Sequence, residues 1–337
     1  MGKRVYLLGG YQTDFSKNWQ RQGDELFDAF SHTVMTALEI VRIQPDEIDV
    51  AHVGNFAGEL FCRQGHLGGF FAALHPKFSG LPAARHEAAC ASGSIAALAA
   101  TAEIEAGRYE LAAVIGIEQM RNVSGQQAAE YIGAPAMWSG HECTDVSFPW
   151  PYLFSELGNE YGERFGIEHK HLAKIAEINF ANAKRNPNAQ TRNWTFSNLS
   201  FTEDDEVNPV IEGRIRKQDC GQITDGSAIL FLASEEKASE YAKRNGVAVE
   251  SLPYIKGWGH RTAPISYQQK LDESKTEPFV FPHVRGTITD AFSRANMSGV
   301  EQLDCIETHD CFTTTEYMAI DHFGITQPGE SWRAVEN

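Results

Sequence analysis

Cys90 stands where a chain can make a thiol reactive. From Ala91 to Ala106 nearly every residue is small or a good helix former. That density of small and apolar residues predicts a buried helix, one that lets neighbouring elements come close. The first N–H groups of a helix lack intrahelical partners, and the helix dipole favours an anion there. An ordinary thiol of pKa about 8.5 is roughly 3% thiolate at pH 7, and each unit of depression multiplies that almost tenfold. A Cys placed there is chemically ready to act as a nucleophile. The competing reading is an inert buried cysteine, a common use of this residue.

The elements around Cys90 would have to hold it at a sheet end. Ala84 to Ala89 reads as a strand leading into Cys90, and Leu111 to Ile117 as a buried strand after the helix. Strand, Cys, helix and strand make a βαβ unit, with the Cys at the carboxyl end of a parallel strand. Open α/β sheets place their sites there. Upstream, Arg4 to Gly10 reads as a first strand and Ile48 to Val53 as a second. Between them Leu26, Phe27, Phe30, Val34, Leu38 and Val41 recur at helical spacing over Asp24 to Val41, with Asp24 as N-cap and Pro45 as the stop. Gly54 to Gly80, with Phe56, Phe61, Phe70, Phe71 and Phe78, reads as core aromatics on a partly helical segment.

From Arg121 to Lys217 the composition shifts to Gly, Pro, Trp, Asn and charge, with helices expected only over Ser155 to Arg164 and Glu168 to Lys184. Gln222 to Ala233 is a turn running into an apolar strand, and Ser234 to Gly246 a polar linking helix. Tyr254 to Gly259 is expected to open a second half. Its first helix would span Gly286 to Ala295, its strand Leu303 to Thr308 would end at His309, and Thr313 to Phe323 would form a further helix. Ile48-Asp49-Val50 and Leu303-Asp304-Cys305 each follow a helix and a short turn, an echo that predicts duplication.

Three segments, in chain order, resemble the thiolase superfamily. Glu87-Ala88-Ala89-Cys90-Ala91-Ser92-Gly93-Ser94 is similar to its nucleophile segment, and Thr224-Asp225-Gly226-Ser227-Ala228 to its DGAAA-type turn. Glu307-Thr308-His309-Asp310-Cys311-Phe312 resembles the HDCF motif of the sterol-carrier-protein-2 type, where other thiolases carry NEAF. The three span nearly the whole chain. The resemblance implies an α/β fold of duplicated βαβαβ halves, layered α-β-α-β-α, with an inserted loop domain. The N-terminal half would comprise 1–120 with 220–234, the loop domain 121–219 would lie over the active site, and the C-terminal half would be 250–337.

The resemblance also implies an activity. A thiolase-type acyltransferase moves an acyl group between coenzyme A and a 3-ketoacyl chain through an acyl-Cys intermediate, here on Cys90. His309 would be the oxyanion donor, a task an imidazole N–H suits. Cys311 is expected to pack rather than react. No cofactor is implied, coenzyme A thioester being the substrate, and Lys170, Lys174, Lys184, Arg185 and Arg192 would supply positive charge for it. A dimer or tetramer is expected. Two alternatives stand beside this reading. One is a subunit that works as an acyltransferase or aldolase with a small OB-fold acyl-CoA-binding protein. The other is a non-catalytic remnant that binds acyl-CoA. The chain departs from the family after His309: no Gly-His-Pro triplet occurs, and all six Cys precede residue 312. The family's activating His and acid/base Cys lie in those missing motifs, so the C-terminal half is expected to be incomplete.

Totals narrow the remaining classes. A net charge of −16 over 337 residues argues against nucleic acid and anionic membranes as partners. Six Cys (62, 90, 143, 220, 305 and 311) without a CxxC pair argue against a disulfide framework or zinc site. His169 and His171 are two apart and would not share a helix face, so no metal site is expected there. No signal peptide or membrane-length apolar run is seen, and a reduced, cytoplasmic protein is expected. Neither G-x-S-x-G, a P-loop nor G-x-G-x-x-G occurs after a strand, which argues against a serine hydrolase or nucleotide enzyme.

Overall fold

Long apolar runs become the buried strands of a mixed sheet. A computed structural model describes residues 3–337, the side chains of 134–136 excepted. Its strands in chain order are β1 (Tyr6–Gln12), β2 (Val50–Gly54), β3 (Ala83–His86), β4 (Leu111–Gln119), β5 (Val210–Glu212), β6 (Ile215–Arg216) and β7 (Asp225–Ala233). Five of them form one sheet in the order β1-β7-β4-β2-β3. β2 runs parallel to β3 and β4, and β7 runs antiparallel to β4 and β1. This sheet belongs to a compact unit of Met1–Ser124 with Ile223–Lys256.

Both faces of the sheet are covered, which is why β2 is buried throughout. Ala51, Val53, Leu111, Ala113 and Ile115 face one core, with Phe30, Val34 and Leu38 of the Leu26–Val41 helix. Val50, Ala112 and Val114 face the other, with Ala96, Ala100 and Ile104 of the Ser92–Glu105 helix. Successive residues alternate between the two, as a pleated strand requires. Phe71 and Phe78 are fully buried, and Phe30 meets Phe71 edge to face at 4.9 Å between ring centres. The Leu26–Val41 helix is capped by Glu25, not Asp24: Glu25 and Asp28 bond reciprocally to each other's backbone N–H.

The second unit comprises Gly125–Gln222 and Gly257–Asn337. Its core joins Leu157 and Tyr161 of the Pro149–Phe165 helix with Leu172 and Ile175 of the His169–Ala183 helix. Tyr317 and Met318 of the Thr313–Phe323 helix complete it. The Tyr161 hydroxyl donates to Asp321 at 2.8 Å inside this core. β5 and β6 form a small antiparallel hairpin.

Two expectations fail here. Leu303 to Thr308 forms no strand, and the second half has no sheet beyond the hairpin among the described residues. A strand exists only through a ladder partner, and none of the described residues supplies one. Tyr254 does not open a second half: it bridges Tyr6, while Leu7 N–H donates to Pro253 O and Ile255 N–H to Val5 O, so this stretch runs beside the edge of β1. No helix among the described residues is long and apolar enough to cross a membrane.

A close backbone approach in the first unit joins the end of β2 to the start of the Ser92–Glu105 helix. A methyl group at Gly54 would sit 2.6 Å from the Gly93 Cα, whereas one at Gly93 would meet nothing within 4 Å. Gly54→Ala is therefore expected to destabilise the protein by about 1–3 kcal/mol, the usual effect of overpacking. Gly93→Ala should be neutral or stabilising by up to about 1 kcal/mol, through helix propensity. Denaturant midpoints of the two variants check this, and equal effects would contradict the packing described.

Candidate active site

The turn that presents Cys90 is built from its neighbours' backbone. β3 ends at His86, and Ala89 takes a φ of 49°, a left-handed conformation that Ala rarely adopts. Ser92 holds it there: its hydroxyl donates to Ala89 O at 2.6 Å and accepts from Ala88 N–H at 3.0 Å. Ala89 N–H donates to the Glu87 carboxylate at 2.6 Å. The sharp turn leaves Cys90 exposed at a cavity of about 340 Å³. Phe15, Phe56, Met120 and Ile117 give the cavity apolar walls, and Gly54, Gly116 and Gly226 keep its floor low.

The Thr224 to Ala228 segment shapes the same cavity, so the structure brings two of the three motifs together. Asp225 is fully buried and accepts backbone N–H bonds from Trp19, Met120 and Arg121, each at 2.9 Å. Gly226 is required because a Cβ there would lie 1.8 Å from the Phe15 ring. The Ser227 hydroxyl donates to Gly116 O at 3.0 Å, tying β7 to β4 at the cavity wall.

Electrostatics at Cys90 run against the expectation from helix position. The protein atoms crowding the sulfur push its thiol above the ordinary value, opposed by a backbone hydrogen bond and aided by the charge of Glu118. The helix begins only at Ser92, two residues on, and the influence of its dipole is confined to the first turn. Glu118 lines the same cavity and belongs to none of the three motifs. Burial pushes its carboxyl up to about 7, against the pull of the Phe56 and Ala57 backbone N–H groups that donate to it. The signal was present: an acid closing the apolar run LAAVIGIEQ of a buried strand.

His309 lies in the second unit, at an exposed position, with the protein around its ring holding its pKa below the ordinary value. Its neighbour Asp310 is pushed up to about 7 by burial and by Glu316. Asn179 donates to both carboxylates, at 2.5 Å to Asp310 and 2.7 Å to Glu316. Thr313 donates to the buried Asp219 at 2.7 Å, and Gly221 N–H to Cys311 O at 2.7 Å, so the segment after His309 is pinned on two sides. The Cys311 sulfur lies 3.9 Å from the Thr315 hydroxyl.

The expected basic residues are only partly available. Lys170 pairs with Glu168 and Glu336, and Lys174 with Glu177, so their charges are matched locally. Lys184 lies over the Phe196 ring at 5.8 Å.

Comparison with known proteins follows the same segments. Residues 5–236 match the family described as thiolase, N-terminal domain. The acetyl-CoA acetyltransferase of Methanothermobacter thermautotrophicus is 26% identical over 335 residues, 99% of this chain and 80% of the relative. Sterol carrier protein 2 of Rattus norvegicus is 23% identical over 342 residues, 99% of this chain and 58% of that protein. Among solved structures, the Ltp2-ChsH2(DUF35) aldolase superposes with a TM-score of 0.72 at 15% identity, covering 99% of this chain and 80% of that one. Human mitochondrial 3-ketoacyl-CoA thiolase in complex with CoA does so with a TM-score of 0.65 at 13% identity, covering 95% and 82%. These two likenesses show the fold, an α/β thiolase architecture.

The Asp310–Glu316 pair makes stability depend on pH. A carboxyl whose folded pKa lies above its unfolded value stabilises fully below the unfolded value, near 3.8 here. That contribution is lost as the pH rises through about 7. Glu316→Gln removes the like charge, lowers the folded pKa of Asp310 and so shrinks the loss. Between about pH 5 and pH 8 the melting midpoint of Glu316→Gln should fall less than that of the native chain, by about 2–4 °C. Parallel melting curves for the two proteins would contradict the coupling.

Proposed function

This chain belongs to the thiolase family, and we propose that it moves an acyl group between coenzyme A and a 3-ketoacyl chain through an acyl-Cys90 intermediate. The observation that carries this reading is Cys90 itself, an exposed thiol on a strained turn at the edge of a cavity with glycine and apolar walls. A thioester carbonyl needs a nucleophile that can be approached from solvent, and a pantetheine arm needs a narrow apolar slot. The relatives named acetyl-CoA acetyltransferase support acyl transfer as the reaction class. In this reading His309 donates to the thioester oxygen, a role helped by a lowered pKa that keeps its ring neutral with one N–H. Residues 121–219 act as the loop domain for coenzyme A, with Lys184 and Arg185 among its positive charges, and the protein works as a homo-oligomer.

A second reading is a subunit that acts with a partner protein. Its support is the likeness to the Ltp2-ChsH2(DUF35) aldolase, whose name joins two components.

Brief incubation with acetyl-CoA followed by peptide mass spectrometry tests the first reading. One acetyl group is expected on Cys90 and none on Cys90→Ala. His309→Ala should acetylate about 10²-fold more slowly, the usual effect of losing one oxyanion donor. An unmodified Cys90 in the isolated protein, acetylated once a co-purified small partner is restored, would favour the second reading. An unmodified Cys90 under both conditions would overturn the acyl-Cys step.

A further inference from the structure

We propose that Glu118 is the acid–base partner of Cys90, taking the thiol proton as the sulfur attacks and giving it to the departing coenzyme A sulfur. The inference rests on the reading of Cys90 as the acyl acceptor. Its first ground is placement. Glu118 lies at the carboxyl end of β4 and lines the cavity at whose edge Cys90 stands, where it is the one carboxyl among the lining residues. The groups beside it are Phe15, Phe56, Ile117, Met120 and small residues, so nothing else in that wall except two serines can carry a proton.

The second ground is coupling between the two groups: the charge of Glu118 is among the causes that raise the Cys90 thiol. The third is how the carboxyl is held. Phe56 and Ala57 N–H groups donate to it and fix its direction, while the opposite charge of Arg85 and the like charge of Glu59 act on it from the neighbouring elements. Cys62 is pushed up to about 11 by burial and by the Glu118 charge, and stays a thiol at neutral pH. A glutamine could accept the same two backbone bonds without a buried charge. A titrating carboxyl at about 7 is the form suited to passing a proton in both directions.

The step balances. The Cys90 S–H bond breaks and an O–H bond forms on Glu118 as the sulfur bonds to the thioester carbonyl carbon. When the tetrahedral adduct collapses, the carbon–sulfur bond to coenzyme A breaks and that sulfur takes the proton from Glu118. Acyl-Cys90, the coenzyme A thiol and the starting carboxylate remain.

Two rates at Cys90 separate this role from a structural one: acetylation by acetyl-CoA and alkylation by iodoacetamide, each followed by mass spectrometry from about pH 6 to pH 9. Glu118→Gln, which keeps the acceptor for Phe56 and Ala57, should acetylate about 10²-fold more slowly and lose the inflexion near 7. Its alkylation at neutral pH should stay equal or rise up to about tenfold, because the charge that raises the thiol is gone. Glu118→Asp should keep the inflexion at a reduced rate. Acetylation of Glu118→Gln within about twofold of the native rate, or a parallel fall of both rates, would overturn the proposal. If the native chain takes no acetyl group, the acyl-Cys reading fails and this inference with it. The alkylation rates would then still show whether the Glu118 charge acts on Cys90.

Discussion

The buried carboxylate of Asp225 is the interaction on which the first unit's site depends. It gathers the N–H groups of Trp19, Met120 and Arg121, three donors from two segments far apart in the chain, onto the first residue of β7. Charge-assisted bonds of this kind are short and directional, and removing the acceptor would leave three donors unsatisfied, that of Trp19 buried. Through this clamp the end of β4 and the start of β7 keep one register, Gly116 opposite Ala228 and Gln119 opposite Asp225. The cavity wall follows from that register, with Gly226 under Phe15 and Ser227 tied to Gly116.

Within that wall two electrostatic effects compete at Cys90. A helix start favours a thiolate, while desolvation and a nearby carboxylate disfavour it, and here the latter pair wins. A thiol that stays protonated needs a group to take its proton during attack. Desolvation by the protein around the cavity acts on both groups, and it brings Glu118 to a pKa where it can exchange protons near neutrality. One low-dielectric pocket thus sets both partners. In the second unit the pattern recurs with different residues: burial and a like charge raise Asp310 beside His309, and Asn179 holds the two carboxyls in place.

The fold of the first unit was largely legible because its strands are buried on both faces and read as continuous apolar runs. The strand–Cys–helix–strand unit, the helix over Leu26–Val41 and the strand ending at Ala233 all follow from local pattern. The second unit was less legible. Leu303 to Thr308 has the composition of a strand mouth, yet strand formation is a property of a pair, and a single segment cannot report whether its partner is present. Tyr254 likewise carried no local sign that it would close the edge of β1.

By itself the sequence determined where a nucleophile could stand, which residues form the helix behind it, and that three motifs occur in thiolase order, since all of these depend on residue type and short spacing. Only the tertiary structure decided which groups share the cavity with Cys90. Glu118, Phe15 and Gly226 come from distant parts of the chain, and what unites them is the sheet order β1-β7-β4-β2-β3, a non-local outcome of strand pairing. It also decided the protonation of Cys90 and Glu118, because pKa values follow the surroundings of a group in space rather than its neighbours in sequence.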